Sequence, residues 1–426
     1  MCRLLAVTLL LMGLTLGQAT ALPVTSGTSN PTIVVGIIAT LSGPGAMAGQ
    51  DAVDGFTTAL RHLGGRFANQ EVRVVVVDDK GSPDTAQQVS RKMLEREKVN
   101  FILTSVSQSS MAAIAKPLLA ERAFIINLEP VPMQFYGSEC SPWVFHLVTP
   151  PDAIHEAAGV HFTTEKMRRI VVIGPDAPST DLAVAALKRT WSGEVAAVIK
   201  PRHGATTYGD EIARLRQLGP DAVYTVLTGG MGLAFVRAYA AAGLKADIQL
   251  LGAGGGFERP ALPAMNELGL DVLNVAPWSP DLDIPLNKRL ITDFELEYGR
   301  PVTSWVAAGY DAGQFLEAVM RATNGRTGDP DATRNAMRRA EFTSVRGPFR
   351  FDPNHVPSVS LYLRRVVRDA KGRFTDEIRA PLIKDWHNRE MAACPMRWTE
   401  EAKPGAPTAA PKPMGNTAPP PKPPPR

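Results

Sequence analysis

The sequence predicts an α/β protein of two doubly wound parallel-sheet lobes joined by a three-segment hinge. Three observations predict it. Apolar, β-branched runs alternate with stretches of helical periodicity from Pro31 onward, the mark of βαβ units around a parallel sheet with helices on both faces. The same alternation restarts after Pro150-Pro151. The chain then has three candidate crossings between the halves, at Trp143 to Val148, at Val272 to Ala276 before Pro277-Trp278, and at Gly347 to Phe351.

In order, Ile33 to Ala39 is a strand that meets the turn Ser42-Gly43-Pro44-Gly45. Val53, Phe56, Leu60 and Leu63 recur at helical spacing until Gly64-Gly65 stops the helix. Val72 to Val77 is apolar apart from Arg73 and is read as a strand buried on both faces. Asp84 caps a helix through Ala86, Val89, Met93 and Leu94. A strand at Phe101 to Leu103, a helix at Met111 to Leu119 and a strand at Phe124 to Ile126 complete the first set. In the second set, strands fall at Ile170 to Ile173, Val195 to Ile199, Val223 to Leu227, Ile248 to Leu251 and Val272 to Ala276. The helices Leu182 to Trp191, Ile212 to Leu218 and Leu233 to Ala242 lie between them. Two helices follow, Leu286 to Tyr298 and Trp305 to Ala322, then a strand at Leu361 to Val367 and a hairpin at Lys371-Gly372. The expected lobes are 31–146 with 277–346, and 147–276 with 347–396.

The ends differ from the body. Arg3, an apolar core from Leu4 to Leu16 and Ala19-Thr20-Ala21 read as a cleavable secretory signal over 1–21. The apolar run is shorter than the roughly 20 residues that span a bilayer, and an uncleaved anchor is the other reading. Export to the periplasm is the expectation. Residues 402–426 are rich in Pro, Ala and Lys, a composition that buries no core and favours extended polyproline II. That tail is either a solvated end or a docking strip.

Charge excludes some functions. The 46 basic and 42 acidic residues are interspersed and sum to +4, without the basic face that nucleic-acid binding uses. Cys2 leaves with the signal. Cys140 and Cys394 remain as a candidate disulfide in an oxidising compartment, with two unpaired buried thiols as the alternative.

Catalytic signatures do not appear in the sequence. The histidines form no metal-binding i,i+4 pair, and neither a Walker A loop nor a nucleophile elbow is present. The expectation is therefore no metal, no cofactor and no catalysis. Gly252-Ala253-Gly254-Gly255-Gly256-Phe257 follows a strand, but Phe257 replaces the third small residue of a dinucleotide fingerprint. More informative are Ser42-Gly43-Pro44 and Ser105-Val106-Ser107-Gln108-Ser109-Ser110 at carboxyl ends of strands, where open α/β sheets bind ligands. The serine run is the better candidate of the two, with a plain helix N-cap as its other reading.

The segment Ile33 to Leu63, the stretch Val76 to Asp84, Ala241-Ala242-Gly243-Leu244, Tyr298-Gly299-Arg300-Pro301 and Tyr310-Asp311-Ala312 together resemble the branched-chain amino acid type of periplasmic binding protein. The resemblance runs from Pro31 to about Asp369. It implies a type I two-lobed fold, a monomer that closes on a small solute, and an inner-membrane ABC permease as partner; a ligand sensor or accessory protein is the alternative.

The resemblance also implies site positions: Met47 and Ala48 on the first loop, then Ser107, Gln108 and Ser109, beside the strand-end candidates Ser42 and Ser105. Leu128 and Glu129 follow the fourth strand of the first half, and Thr228, Gly229 and Gly254 lie in the second half. Gly254 falls where an acid would hold an α-ammonium, so an amino-acid grip is expected to be altered. The small residues at 48, 228 and 254 suggest a roomy site for an aromatic or elongated ligand, with Trp278 and Trp305 read either as stacking on it or as interlobe core.

Overall fold

The computed structural model describes residues 32–397. The segment 1–21, expected to be a secretory signal, and the tail 402–426 lie outside them. Along the first stretch run β1 (Ile33–Ala39), α1 (Ala46–His62), β2 (Arg66–Phe67), β3 (Gln70–Asp78), α2 (Pro83–Lys92), β4 (Phe101–Ser105), α3 (Gln108–Ala120), β5 (Phe124–Asn127) and β6 (Val144–His146). All but the short β2 were read from the sequence, and β3, expected to be buried on both faces, is mostly only partly buried or exposed. The strands form one sheet in the order β2-β3-β1-β4-β5-β6, parallel except for the β2–β3 pair. β4 and β5 are buried along their whole length. Caps set the helix starts: the Ser82 side chain accepts from Thr85 N–H, with Pro83 at the first helical position, and the Ser107 hydroxyl accepts from Ser110 N–H.

The chain then crosses to the second lobe. Here the sequence reading missed a helix, α4 (Asp152–Thr164), which starts directly after Pro150-Pro151. Proline at a helix start is favourable, because the missing N–H is one the first turn leaves unpaired anyway. β7 (Arg169–Ile173), α5 (Pro178–Leu187), β8 (Glu194–Ile199), α6 (Gly209–Leu218), β9 (Ala222–Thr225), α7 (Gly229–Ala241), β10 (Gln249–Ala253), α8 (Leu262–Met265) and β11 (Leu273–Ala276) follow. The chain returns to the first lobe for α9 (Pro285–Tyr298), α10 (Ser304–Ala322) and α11 (Pro330–Arg338); α11 was not read from the sequence. It crosses last to β12 (Arg350–Phe351), β13 (Pro357–Arg368) and β14 (Phe374–Trp386). The second sheet runs β12-β13-β11-β10-β9-β7-β8, with β14 on β13. β13 is antiparallel to both β11 and β14, so the predicted hairpin at Lys371-Gly372 is the turn of a long antiparallel ribbon.

Packing around the third crossing is shared between the lobes. β12 pairs with β13, while the Phe351 ring lies edge-on to Phe145 and Phe315 of the first lobe. The Cys140–Cys394 disulfide forms across a sequence separation of 254, with Cα atoms 5.6 Å apart. It fastens the segment after β14 to the loop before β6.

The first lobe depends on two helices meeting at glycine. A Cβ on Gly309 of α10 would stand 2.1 Å from the Ala52 carbonyl of α1, and one on Gly55 would stand 2.1 Å from the Val306 carbonyl. Backbone cannot yield as a side-chain tip does. Gly309→Ala should therefore cost about 2–3 kcal/mol of overpacking, read as a lowered thermal midpoint; an unchanged midpoint would contradict this close approach.

Candidate functional site

A cavity of about 200 Å³ lies between the lobes, beside the crossings. Its walls come from the carboxyl ends of strands in both sheets: Leu128, Glu129 and Pro130 beyond β5, Gly254 and Gly255 beyond β10, and Ala276 to Trp278 beyond β11. The crossing segments add Val148, Thr149 and Arg346. Ser304 and Trp305 enter from the first turn of α10, and Glu258 from the loop after β10. Most of the lining is apolar or aromatic, with few polar groups, as small-molecule sites generally are.

Arg346 is 6% exposed and held on two sides. Its Nε donates to Asp311 Oδ2 at 2.6 Å, and its Nη1 donates to the Leu147 carbonyl at 2.6 Å. Asp311 also accepts from the Ser344 hydroxyl and the Val345 N–H. These bonds lock the third crossing to α10 and to the first crossing. The Nη2 of Arg346 is buried and has no hydrogen-bond partner. Guanidinium is a donor only, and a buried donor left unmade costs about 1–3 kcal/mol. A ligand acceptor would satisfy it.

Trp278 is fully buried. Its indole N–H donates to Asn287 Oδ1 at 3.0 Å, and its carbonyl accepts from Arg364 Nη1 at 2.9 Å. The ring is therefore a fixed wall. Arg364 also donates to Asn274 at 2.8 Å, tying β13 to β11 behind that wall.

Two carboxyl groups complete the lining. Glu258 is 4% exposed and accepts from the Ser304 N–H at 3.1 Å and its hydroxyl at 2.5 Å, at the start of α10 where negative charge is favoured. Burial raises its pKa, against the opposing pull of Arg364 and of the Ser304 bonds. Glu129 differs. Burial, and then the charge of Glu258, push its pKa up to about 8, opposed by a hydrogen bond from Trp305. The residue is partly exposed, yet its Oε1 is sealed from water and has no partner.

A further polar cluster bridges the lobes away from the cavity. Glu295 of α9 pairs with Arg259 of the second lobe at 2.7 Å and with Arg373 at the β13–β14 turn at 3.1 Å. Together with the Glu258–Ser304 bonds, it holds the lobes against one another as they stand.

Of the residues singled out from the sequence, Leu128, Glu129, Gly254, Trp278 and Trp305 line this cavity, and the others do not. Ser42, Met47, Ser107, Gln108, Ser109, Thr228 and Gly229 are exposed, Ala48 is partly exposed, and Ser105 is buried with its hydroxyl unpaired. Sequence reasoning chose Met47, Ala48, Thr228 and Gly229 by family resemblance, and the serine loops because they follow the carboxyl ends of strands, where open α/β sheets bind ligands. Their local bonds are structural: Asp78 accepts from the N–H of Leu41 and of Lys80, and Ser107 caps α3.

Two expectations are corrected. The site is not roomy, since about 200 Å³ is below the 300–1,000 Å³ range usual for ligand pockets. A Cβ on Gly254 would meet the Val275 carbonyl at 2.6 Å, so its smallness serves packing and leaves no added room. Nor does the second-lobe loop lack an acid, because Glu258 stands four positions beyond Gly254. The glycine run itself forms a short 3₁₀ turn. Sequence reasoning missed Glu258 and Arg346 altogether. The signal available was Phe257-Glu258-Arg259-Pro260 in the same loop, and a lone Arg346 just before the third crossing.

Comparison with known proteins gives a consistent picture. A family model described as periplasmic binding protein matches residues 32–373. The Leu/Ile/Val-binding protein homolog 6 of Brucella melitensis is 26% identical over 356 residues, covering 80% of this chain and 89% of its own length. A solute binding protein of an ABC transporter from R. palustris, solved with benzoate, is 26% identical with a TM-score of 0.74, covering 86% of this chain and 100% of that one. Another from R. palustris, solved with 4-hydroxybenzoate, is 25% identical with a TM-score of 0.74, covering 83% of this chain and 98% of its own. A leucine binding protein from Thermotoga maritima, at 17% identity and a TM-score of 0.67 over 82% of this chain and 98% of its own, shares the fold.

Proposed function

This chain belongs to the periplasmic binding protein family, and from that premise we propose that its cleft takes up a small ring carboxylate for an ABC permease. It is the extracytoplasmic solute-binding component of an ABC importer, not an enzyme. Among the described residues no helix is long and apolar enough to cross a membrane, and a permease supplies the passage. In this reading the lobes are 31–146 with 277–346 and 147–276 with 347–396. They rotate about the three crossings, and the ligand favours the closed arrangement.

One observation carries the ligand class: Arg346 lines an apolar, Trp-walled cavity and keeps an unpaired guanidinium N–H. A carboxylate is the natural partner of that fork. Trp278 and Trp305 give the ring its flat contacts, and the cavity volume suits a single ring. The benzoate and 4-hydroxybenzoate bound by the two R. palustris relatives support the same class.

A second reading is an aliphatic amino acid, favoured by Glu129 and Glu258 as two carboxyls able to face an ammonium. Both oxygens of Glu258 are already engaged by Ser304, which weakens that reading. Calorimetry of the mature protein with benzoate, 4-hydroxybenzoate, leucine and valine decides between them. Ring carboxylates are expected to bind. At a hundred times its dissociation constant, such a ligand adds about 2.7 kcal/mol of stability. Tighter binding of leucine or valine would reverse the assignment.

A further inference from the structure

We infer that Glu129 is a specificity-determining hydrogen-bond donor, selecting ring carboxylates that carry a second acceptor oxygen over the unsubstituted acid. The inference rests on the ring-carboxylate reading of the cavity. It concerns the part of the ligand that Arg346 does not hold.

The geometry allocates one proton between two carboxyls. Glu129 and Glu258 line the same cavity, and each charge disfavours ionisation of the other. Glu258 has two donors from Ser304 and the positive charge of Arg364 to support its negative charge. Glu129 has only the Trp305 indole N–H, and its Oε1 has nothing. Burial raises the pKa of both carboxyls, but Glu129 lacks the Ser304 donors that support an anion at Glu258, so the protonated form of Glu129 prevails at neutral pH. The other groups around Glu129 do not change this. Tyr136, whose hydroxyl accepts from the Val131 N–H at 3.0 Å, carries no charge at neutral pH, and the positive charge of Arg346 is balanced by Asp311, which pairs with its Nε.

The position of the proton follows. An indole N–H only donates, so the oxygen it meets serves as acceptor. Oε1 is the buried oxygen without a partner, so a hydrogen carried there lacks an acceptor. The cavity thus presents two unmade donors, Arg346 Nη2 and the Glu129 carboxyl. A ligand satisfying both bears a carboxylate and, elsewhere on the ring, a hydroxyl or carbonyl oxygen. Unsubstituted benzoate leaves the Glu129 donor buried and unmade, which a site built for hydrogen bonding rejects.

Calorimetry with benzoate and with its 3- and 4-hydroxy derivatives tests this. At pH 6.5 one hydroxylated acid should bind about 10- to 100-fold more tightly than benzoate. Glu129→Gln keeps an N–H donor and should keep that ratio, whereas Glu129→Leu should bring it towards one. Because binding of the second oxygen needs the protonated carboxyl, the ratio should fall as pH rises above about 8. A ratio that survives Glu129→Leu, or that grows with pH, would overturn the inference, since the latter marks an ionised acceptor. Should Glu129→Leu fail to fold, the Glu129→Gln ratio and the wild-type pH profile still decide. Failure of every ring carboxylate to bind the wild-type protein would instead overturn the parent reading.

Discussion

Arg346→Lys should lower affinity for a ring carboxylate about hundredfold or more while leaving the protein folded. Lysine keeps a positive charge opposite Asp311, whose remaining donors, the Ser344 hydroxyl and Val345 N–H, are untouched. It cannot span the roles that arginine fills here. One guanidinium reaches Asp311 and the Leu147 carbonyl and still has Nη2 to spare. An ammonium is a point charge without that fixed fork. Truncating one side of a buried charged hydrogen bond costs about 2–5 kcal/mol in binding, the source of the expected loss. Arg346→Leu should do more. It leaves Asp311, buried at 0% exposure, without its cation, and breaking such a pair costs about 3–5 kcal/mol of stability. Calorimetry and thermal melts separate the two effects. Normal affinity in Arg346→Lys would show that the ligand does not use this arginine.

Removing the Cys140–Cys394 bridge should have the largest effect on stability. The bond closes a loop of 254 residues in sequence separation. In the chain-entropy model, loops beyond 100 residues gain about 5 kcal/mol. The bridge also ties the segment after β14 to the first lobe, beside the third crossing. Cys140→Ser with Cys394→Ser, or reduction of the native protein, should shift the thermal midpoint downward by on the order of 10 °C. Both residues are at least 92% buried, at 8% and 4% exposure, so mild reductant should act slowly on the folded protein. An unchanged midpoint after complete reduction would mean that the packing around this segment holds without the bond.

The contrast between fold and site explains what was legible in the sequence. Strands such as Phe101–Ser105 and Phe124–Asn127 are buried on every side and read as unbroken apolar runs. The crossings announced themselves through Pro150-Pro151 and Pro277-Trp278. α4 was missed because it starts directly after prolines read as a crossing, and the extent of β14 was not read because Phe374–Trp386 mixes charged and apolar residues on a partly exposed ribbon. The site was harder to read because it is assembled from many segments far apart in the sequence. Glu129, Trp278 and Trp305 were visible as unusual residues near strand ends or crossings. Arg346 was not, since its meaning depends on Asp311 and Leu147, 35 and 199 positions away. Gly254 misled because its smallness reflects the nearby Val275 carbonyl.

The most direct test is a crystal structure of the mature protein grown with 4-hydroxybenzoate. The account predicts one molecule between the lobes, its carboxylate within hydrogen-bond distance of Arg346 Nη2 and its ring against Trp278 and Trp305. A ligand seated instead on the exposed Ser107 to Ser109 and Thr228 loops, with Arg346 Nη2 still unpaired, would contradict it.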